Sequence, residues 1–356
     1  MYWTGLSPVR SAAIFIATKQ EGIVTMQFDV NLQSPSLSEV GDIAAVAEDH
    51  GFECAWITEV THSPYTLMTR MASETNSIDI GTAIAVAFPR SPMVTAYSAW
   101  DVQSLSDGRV LLGLGTQVKG HIEHRFSVEW DSPGPRLRDY VRSLRAIWDA
   151  WATGTDVDYQ GEFYSIDLCP PEFTPDPIDD PDVPIYVAGV NPYNLKIAGE
   201  LCDGLHIHPV HSPEYIEEVV VPNVAEGAKY GDRTASDVTL AASVFAIVGE
   251  SEQERSEKRE QVRKQIAFYG STRTYKTIFG VHGWEEVCDD LHELSVNDRW
   301  DEMGNLVTDE MIDAFSVEAA TYGDLRKKIE SRYDHVDRIS VYEPFRGEEQ
   351  WAALAD

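Results

Sequence analysis

The chain has 356 residues, 43% of them hydrophobic, which suffices for one large barrel or two average domains with a sizeable core. Carboxylates outnumber bases 59 to 28, giving a formal charge of −31 spread along the whole chain. This excludes an acidic tail as the source of the charge and makes nucleic acid and anionic membranes poor partners. No apolar run approaches the ~20 residues of a membrane span. The four cysteines, Cys54, Cys169, Cys202 and Cys288, are too scattered for a zinc ribbon or a disulfide framework, which fits a reducing cytoplasm.

Residues 1–25 read as an upstream extension, either a start-site artefact or a disordered tail. The apolar patch Ala12–Ala17 is too short for a signal segment and is followed by Lys19. Met26 opens the first strand, centred on Phe28–Asn31. Leu37, Val40, Ile43, Ala44 and Ala47 then recur at helical spacing, and Gly51 is a plausible stop. Strand Cys54–Thr58, a helix around Tyr65–Glu74 and strand Ile80–Ala87 follow. Next come helix Met93–Leu105 after Pro92, strand Val110–Leu114 and a helix from Arg136 to Trp151. An acidic, proline-rich connection covers 153–183. Strand Ile185–Ala188 leads into a helix ending at Leu201, and a short strand runs through Leu205–His208. A helix after Ser212-Pro213 precedes strand Val238–Val248, and 251–333 are largely helical. The last strand is Val336–Tyr342, closed by Pro344. This alternation predicts a (β/α)8 barrel over 26–346, with 251–333 as a helical insertion or cap before the last strand. A doubly wound open sheet is the alternative, because sequence alone does not prove closure.

An even acidic surface of this density matches proteins adapted to molar salt, where screening removes self-repulsion. The expected result is a melting temperature that rises from dilute buffer to molar KCl. Equal values would remove the halophilic reading.

Several residues fall just past strand ends, where a barrel places its active site. Glu59 and His62 follow the second strand and suit an acid/base pair, or else a solvated loop. The third strand carries Gly81, Thr82, Ala83, Ile84 and Ala85, small enough for a flat ring to approach the backbone. Gly113, Gly115, Thr116 and Gln117 at the fourth strand end suit the polar part of a cofactor, with His121 on the loop beyond. Ile185–Asn194 reads as a strand, a glycine break and a helix opened by Asn191-Pro192, an arrangement that lets backbone N–H groups cradle an anion. A side chain at Gly189 is expected to obstruct that anion, and Asn191 to cap the helix. His206 and His208 share a strand face. His208 is expected to reach a pocket and His206 to fill the barrel interior. A metal site is the weaker alternative, so no metal is expected. Walker A, nucleophile-elbow and dinucleotide-binding glycine patterns are absent.

Together these segments resemble the luciferase-like flavin and deazaflavin oxidoreductase family, from about Met26 to Tyr342. The marks are Cys54-Ala-Trp-Ile-Thr-Glu, Gly81-Thr-Ala-Ile, Arg90-Ser-Pro-Met-Val-Thr-Ala and Gly108-Arg-Val-Leu-Leu-Gly-Leu-Gly-Thr-Gln. Pro184-Ile-Tyr-Val-Ala-Gly-Val-Asn-Pro, Cys202-Asp-Gly-Leu-His-Ile-His-Pro and Val336-Asp-Arg-Ile-Ser complete them. Gln265-Ile-Ala-Phe-Tyr-Gly-Ser-Thr, His282-Gly-Trp and Arg299-Trp-Asp-Glu-Met look specific to the branch of F420-dependent oxidoreductases. The resemblance implies a luciferase-like TIM barrel that binds a deazaflavin at the strand carboxyl ends, its back supported by a non-prolyl cis peptide matching Ala83–Ile84. It implies cofactor contacts at Thr116, Gln117 and His121, and a phosphate turn at Ala188, Gly189, Val190 and Asn191. It places Glu59 beside the ring. Val60 stands where some relatives carry histidine, so Glu59, His62 and His208 all compete for the proton role. The implied activity is hydride transfer between coenzyme F420 and a small organic substrate. An FMN-dependent monooxygenase and a non-catalytic deazaflavin-binding protein are the alternatives, and a homodimer is compatible with each.

Overall fold

The computed structural model describes residues 26–355; the extension read over 1–25 lies outside them. Eight strands form the central sheet: β1 (Gln27–Gln33), β2 (Cys54–Ile57), β3 (Asp79–Thr82), β4 (Val110–Gly115), β5 (Ile185–Gly189), β6 (Gly204–Ile207), β7 (Thr239–Val248) and β8 (Arg338–Val341). All pair in parallel. β7 binds β6 through Thr239–Ala242 and β8 through Ala241–Val244, while β1 binds both β8 and β2. The ring therefore closes, and the open-sheet alternative falls. Beyond the ring, the far end of β7 pairs with a four-residue strand, Ser316–Ala319, inside the stretch read as helical.

The third strand departs from the continuous run expected over Ile80–Ala87. Its ladder stops at Thr82 and resumes as a two-residue strand, Ala85–Val86, beside β4. Between them the Ala83–Ile84 peptide bond is cis. The ends of β2 and β3 are tied there: the Ala83 N–H donates to the Ile57 carbonyl (2.7 Å), and the Thr58 hydroxyl donates to the Ala83 carbonyl (3.0 Å).

Alternation along β1 explains its composition. Phe28, Val30 and Leu32 pack outward in the main core with the helices, while Asp29 and Asn31 point into the barrel. Asp29 is closed off by Arg338 from β8, whose Nε and Nη2 donate to the two carboxylate oxygens at 2.9 Å each, and by the Trp56 indole N–H at 2.8 Å. Burial pushes the Asp29 carboxyl above its ordinary range, against the opposing pull of Arg338. Trp56, Tyr186 and His206 pack above this pair, with ring centroids 4.7–5.6 Å apart. Glycines make the room: a Cβ on Gly81 would lie 2.2 Å from the Trp56 ring, and one on Gly204 2.1 Å from the Tyr186 ring. The barrel base is thus a packed plug.

The connection over 153–183 carries a small antiparallel pair, Tyr159–Gln160 with Ser165–Ile166. Between β7 and β8 lie the helices Glu252–Gly270, Glu285–Val296, Asp309–Phe315 and Tyr322–Glu330. Ser251 and Glu254 form a capping box at the start of the first. Among the described residues, no helix is long and apolar enough to cross a membrane.

Candidate active site

The carboxyl ends of the strands open into a cavity of about 680 Å3. One wall comes from the break in the third strand. The Ile84 side chain lies over Gly115, where a Cβ would meet it at 2.8 Å, and Ala188 stands 3.6 Å from the same point. Ala83, Ile84, Gly115 and Ala188 thus form a low apolar wall, in which Gly115 leaves room for the Ile84 side chain. Thr116 and Gln117 continue it. Gln117 has a left-handed backbone (φ 60°), and its side-chain oxygen accepts from the Val118 N–H (2.9 Å). Lys119 lines the cavity beyond them.

The turn after β5 also lines the cavity, from Ala188 to Asn191. Pro192 occupies the first position of the helix Pro192–Leu201, as its fixed φ favours. Two expectations about this turn need correction. Asn191 makes no capping hydrogen bond; its side-chain oxygen accepts from the Thr277 hydroxyl (3.1 Å), which ties the turn to the inserted segment. The Gly189 Cβ position faces away from the cavity, 3.2–3.3 Å from Leu195, Leu205 and Asn194, because alternation sends Ala188 inward instead. Gly189→Val should therefore destabilise the strand–helix packing by about 1–3 kcal/mol rather than block a ligand. Denaturant unfolding checks this, and an unchanged midpoint would contradict it.

Of the residues singled out in sequence, Ala83, Ile84, Thr116, Gln117, Ala188, Gly189, Val190, Asn191 and His208 line this cavity. Glu59, His62 and His121 are not among its lining residues. Glu59 is buried beneath the Ala85–Val86 strand: both its oxygens accept from the Arg90 guanidinium at 2.8 Å, and one also accepts from the Val86 N–H at 2.7 Å. Burial pulls the Arg90 guanidinium down, but its hydrogen bonds to Glu59 and the Glu59 charge raise it overall. His62 is exposed on the loop after β2, and His121 is exposed where a short π-helical turn begins. Both lie close to strand ends in sequence, but the chain has already turned outward.

His208 does face the cavity. Its Nδ1 accepts from the Val210 N–H (3.1 Å), so the neutral ring carries its proton on Nε2. Burial, with a smaller contribution from nearby His211, pushes its pKa down to about 3. His206 sits lower, against Trp56 and Tyr186, and burial pushes it down to about 4. Lining residues that sequence reasoning missed include Asn31, Ser243, Ser340, Tyr269, Tyr275 and Tyr342.

A closed (β/α)8 barrel with a roomy cavity at the strand carboxyl ends defines a ligand-binding barrel of the enzyme type. Residues 13–338 match the model of the family described as luciferase-like monooxygenase, and the chain belongs to that family. It is 39% identical over 303 residues to an uncharacterized protein of Mycobacterium tuberculosis, covering 84% of this chain and 89% of that one. It is 30% identical over 281 residues to the 5,10-methylenetetrahydromethanopterin reductase of Archaeoglobus fulgidus, covering 76% and 79%. Its fold is similar to that of the coenzyme F420 dependent tetrahydromethanopterin reductase from Methanopyrus kandleri, with a TM-score of 0.75 and 22% identity over 93% and 96% of the two chains.

Proposed function

We propose that the protein is an F420-dependent oxidoreductase that transfers a hydride between the deazaflavin and a small organic substrate. The observation that carries this is the low apolar wall of Ala83, Ile84, Gly115 and Ala188, which meets a polar rim and a helix-opening turn in one cavity. The similarity to methylenetetrahydromethanopterin reductase supports it. A flat tricyclic ring with a phosphate-bearing tail fits this donor set. Ala83 and Ile84 would back the ring, Thr116 and Gln117 would meet its polar edge, and the backbone N–H groups around Val190 and Asn191 would hold the phosphate. The bound deazaflavin supplies the hydride-carrying carbon, C5.

The chain's own residues position the reactants and exclude water. Glu59 fixes the backbone two residues beyond Ile84 through the Val86 N–H, which makes it a positioning residue. With Glu59 committed to Arg90, His208 Nε2–H is the donor among the three original proton candidates that faces the cavity. Because His208 is neutral near pH 7, it serves by donating a hydrogen bond.

The test is fluorescence titration of the purified protein with F420 and, separately, FMN, in molar KCl. F420 should saturate at least tenfold more tightly, and Ala188→Leu should weaken it while circular dichroism is unchanged. Tighter FMN binding would move the protein to the monooxygenase alternative. Tight F420 binding without turnover of any carbonyl, alcohol or alkene in a substrate panel would leave a deazaflavin-binding protein.

A further inference from the structure

In the closed ring β7 and β8 lie across the barrel from β3 and β4, so the cavity has a second wall facing the low apolar one. Its chemistry is different. Tyr269 comes from the helix Glu252–Gly270, Tyr275 from the turn beyond it, Tyr342 from the end of β8 and His208 from the end of β6, and all four line the cavity. The His208 ring stands edge-on to Tyr269 (centroids 4.6 Å, 80°) and leans over Tyr275 (4.2 Å, 34°). Phe245 supports Tyr342 from behind (5.3 Å, 84°).

The Tyr269 and Tyr342 hydroxyls lie 2.6 Å apart. Two hydroxyls carry two protons and their mutual bond uses one, so the pair has one O–H left to donate. His208 contributes a second donor, because its Nδ1 accepts from Val210 and its proton is on Nε2. Burial keeps Tyr269, Tyr275 and His208 neutral near pH 7: it pushes Tyr275 up to about 12, raises Tyr269, and lowers His208. Apart from histidines, the titratable lining residues outside this wall among the described residues are Asp29, already paired with Arg338, Lys119 on the side of β4, and the Tyr193 phenol at the start of the helix after β5. A carboxylate or ammonium pressed against this wall would be desolvated with no countercharge. A flat apolar molecule with an acceptor oxygen would bury its faces against the aromatic rings and pair its oxygen.

We propose that Tyr269, Tyr342 and His208 form a substrate subsite for an uncharged, flat carbonyl compound, with the carbonyl oxygen received by the tyrosine pair and the His208 N–H. This deepens the hydride-transfer reading by naming the substrate class, and it rests on that reading for its catalytic meaning. The binding itself is tested without cofactor, so the two can fail separately.

The probe is 4-dimethylaminobenzaldehyde, an uncharged flat carbonyl whose absorption moves to longer wavelength when its oxygen accepts a hydrogen bond. It is titrated into the full-length protein in molar KCl, beside its charged analogue 4-dimethylaminobenzoate. The wild type should give a saturable red shift and bind the benzoate at least tenfold more weakly. Tyr342→Phe and Tyr269→Phe, which keep the rings, should each lose most of the shift and bind the aldehyde at least fivefold more weakly, with unchanged circular dichroism. If either variant is misfolded, the other and His208→Gln carry the comparison. No saturable shift in the wild type, an undiminished shift in both tyrosine variants, or equal binding of the benzoate would overturn the proposal. A probe lodged against Ile84 and Ala188 would give the second of these results. Failure of F420 to bind while the probe behaves as described would remove the cofactor assignment and leave the subsite standing.

Discussion

Arg338→Met should destabilise the protein by about 3–5 kcal/mol, the scale for removing one partner of a buried ion pair. Arg338 is 5% exposed and Asp29 3%, and the guanidinium donates to both carboxylate oxygens. Without it the Asp29 charge keeps the Trp56 indole N–H as a partner but has no countercharge. Pairing the substitution with Asp29→Leu should recover most of the loss, since an apolar pair of similar volume avoids desolvating two charges. Guanidinium unfolding of both variants measures the difference. A single variant within about 1 kcal/mol of wild type would show that water reaches the pair.

Gly113→Ala should be at least as damaging as ordinary overpacking, at about 3 kcal/mol or more. The added Cβ would lie 1.8 Å from the Thr82 carbonyl oxygen and 2.7 Å from His206 Nε2. The first contact is with backbone in the neighbouring strand, so no rotamer change relieves it, and β3 and β4 must separate. Gly120→Ala is the control: nothing lies within 4 Å of its Cβ position, and stability should stay within about 0.5 kcal/mol. Equal midpoints for the two variants would refute the argument.

Much of the barrel was legible because buried parallel strands read as apolar runs and their helices as amphipathic ones. The turn from Ala188 to Asn191 could be placed because a strand, a glycine and an Asn-Pro helix start form one local signal. Three features were not legible for one reason: they depend on contacts distant in sequence. Glu59 looks like a free strand-end carboxylate until Arg90 is brought to it from 31 residues away. Asn191 looks like a helix cap until Thr277 arrives from the inserted segment, 86 residues on. The tyrosine wall gathers residues from a helix, a turn and a strand end. One signal was available and unread. Asp29 and Asn31 alternate with Phe28, Val30 and Leu32, and in a closed barrel with helices outside, the polar face of such a strand must point inward.

The plug of Trp56, Tyr186 and His206 above the Asp29–Arg338 pair has a kinetic corollary. The barrel is a blind-ended vessel and not a conduit: its axis is stopped at the base, so traffic passes through the mouth at the strand carboxyl ends. For any two occupants of such a vessel, the one seated deeper arrives first and departs last. Substitutions at the stopped end change how firmly the vessel holds together, and those at the mouth change what it admits and in what order.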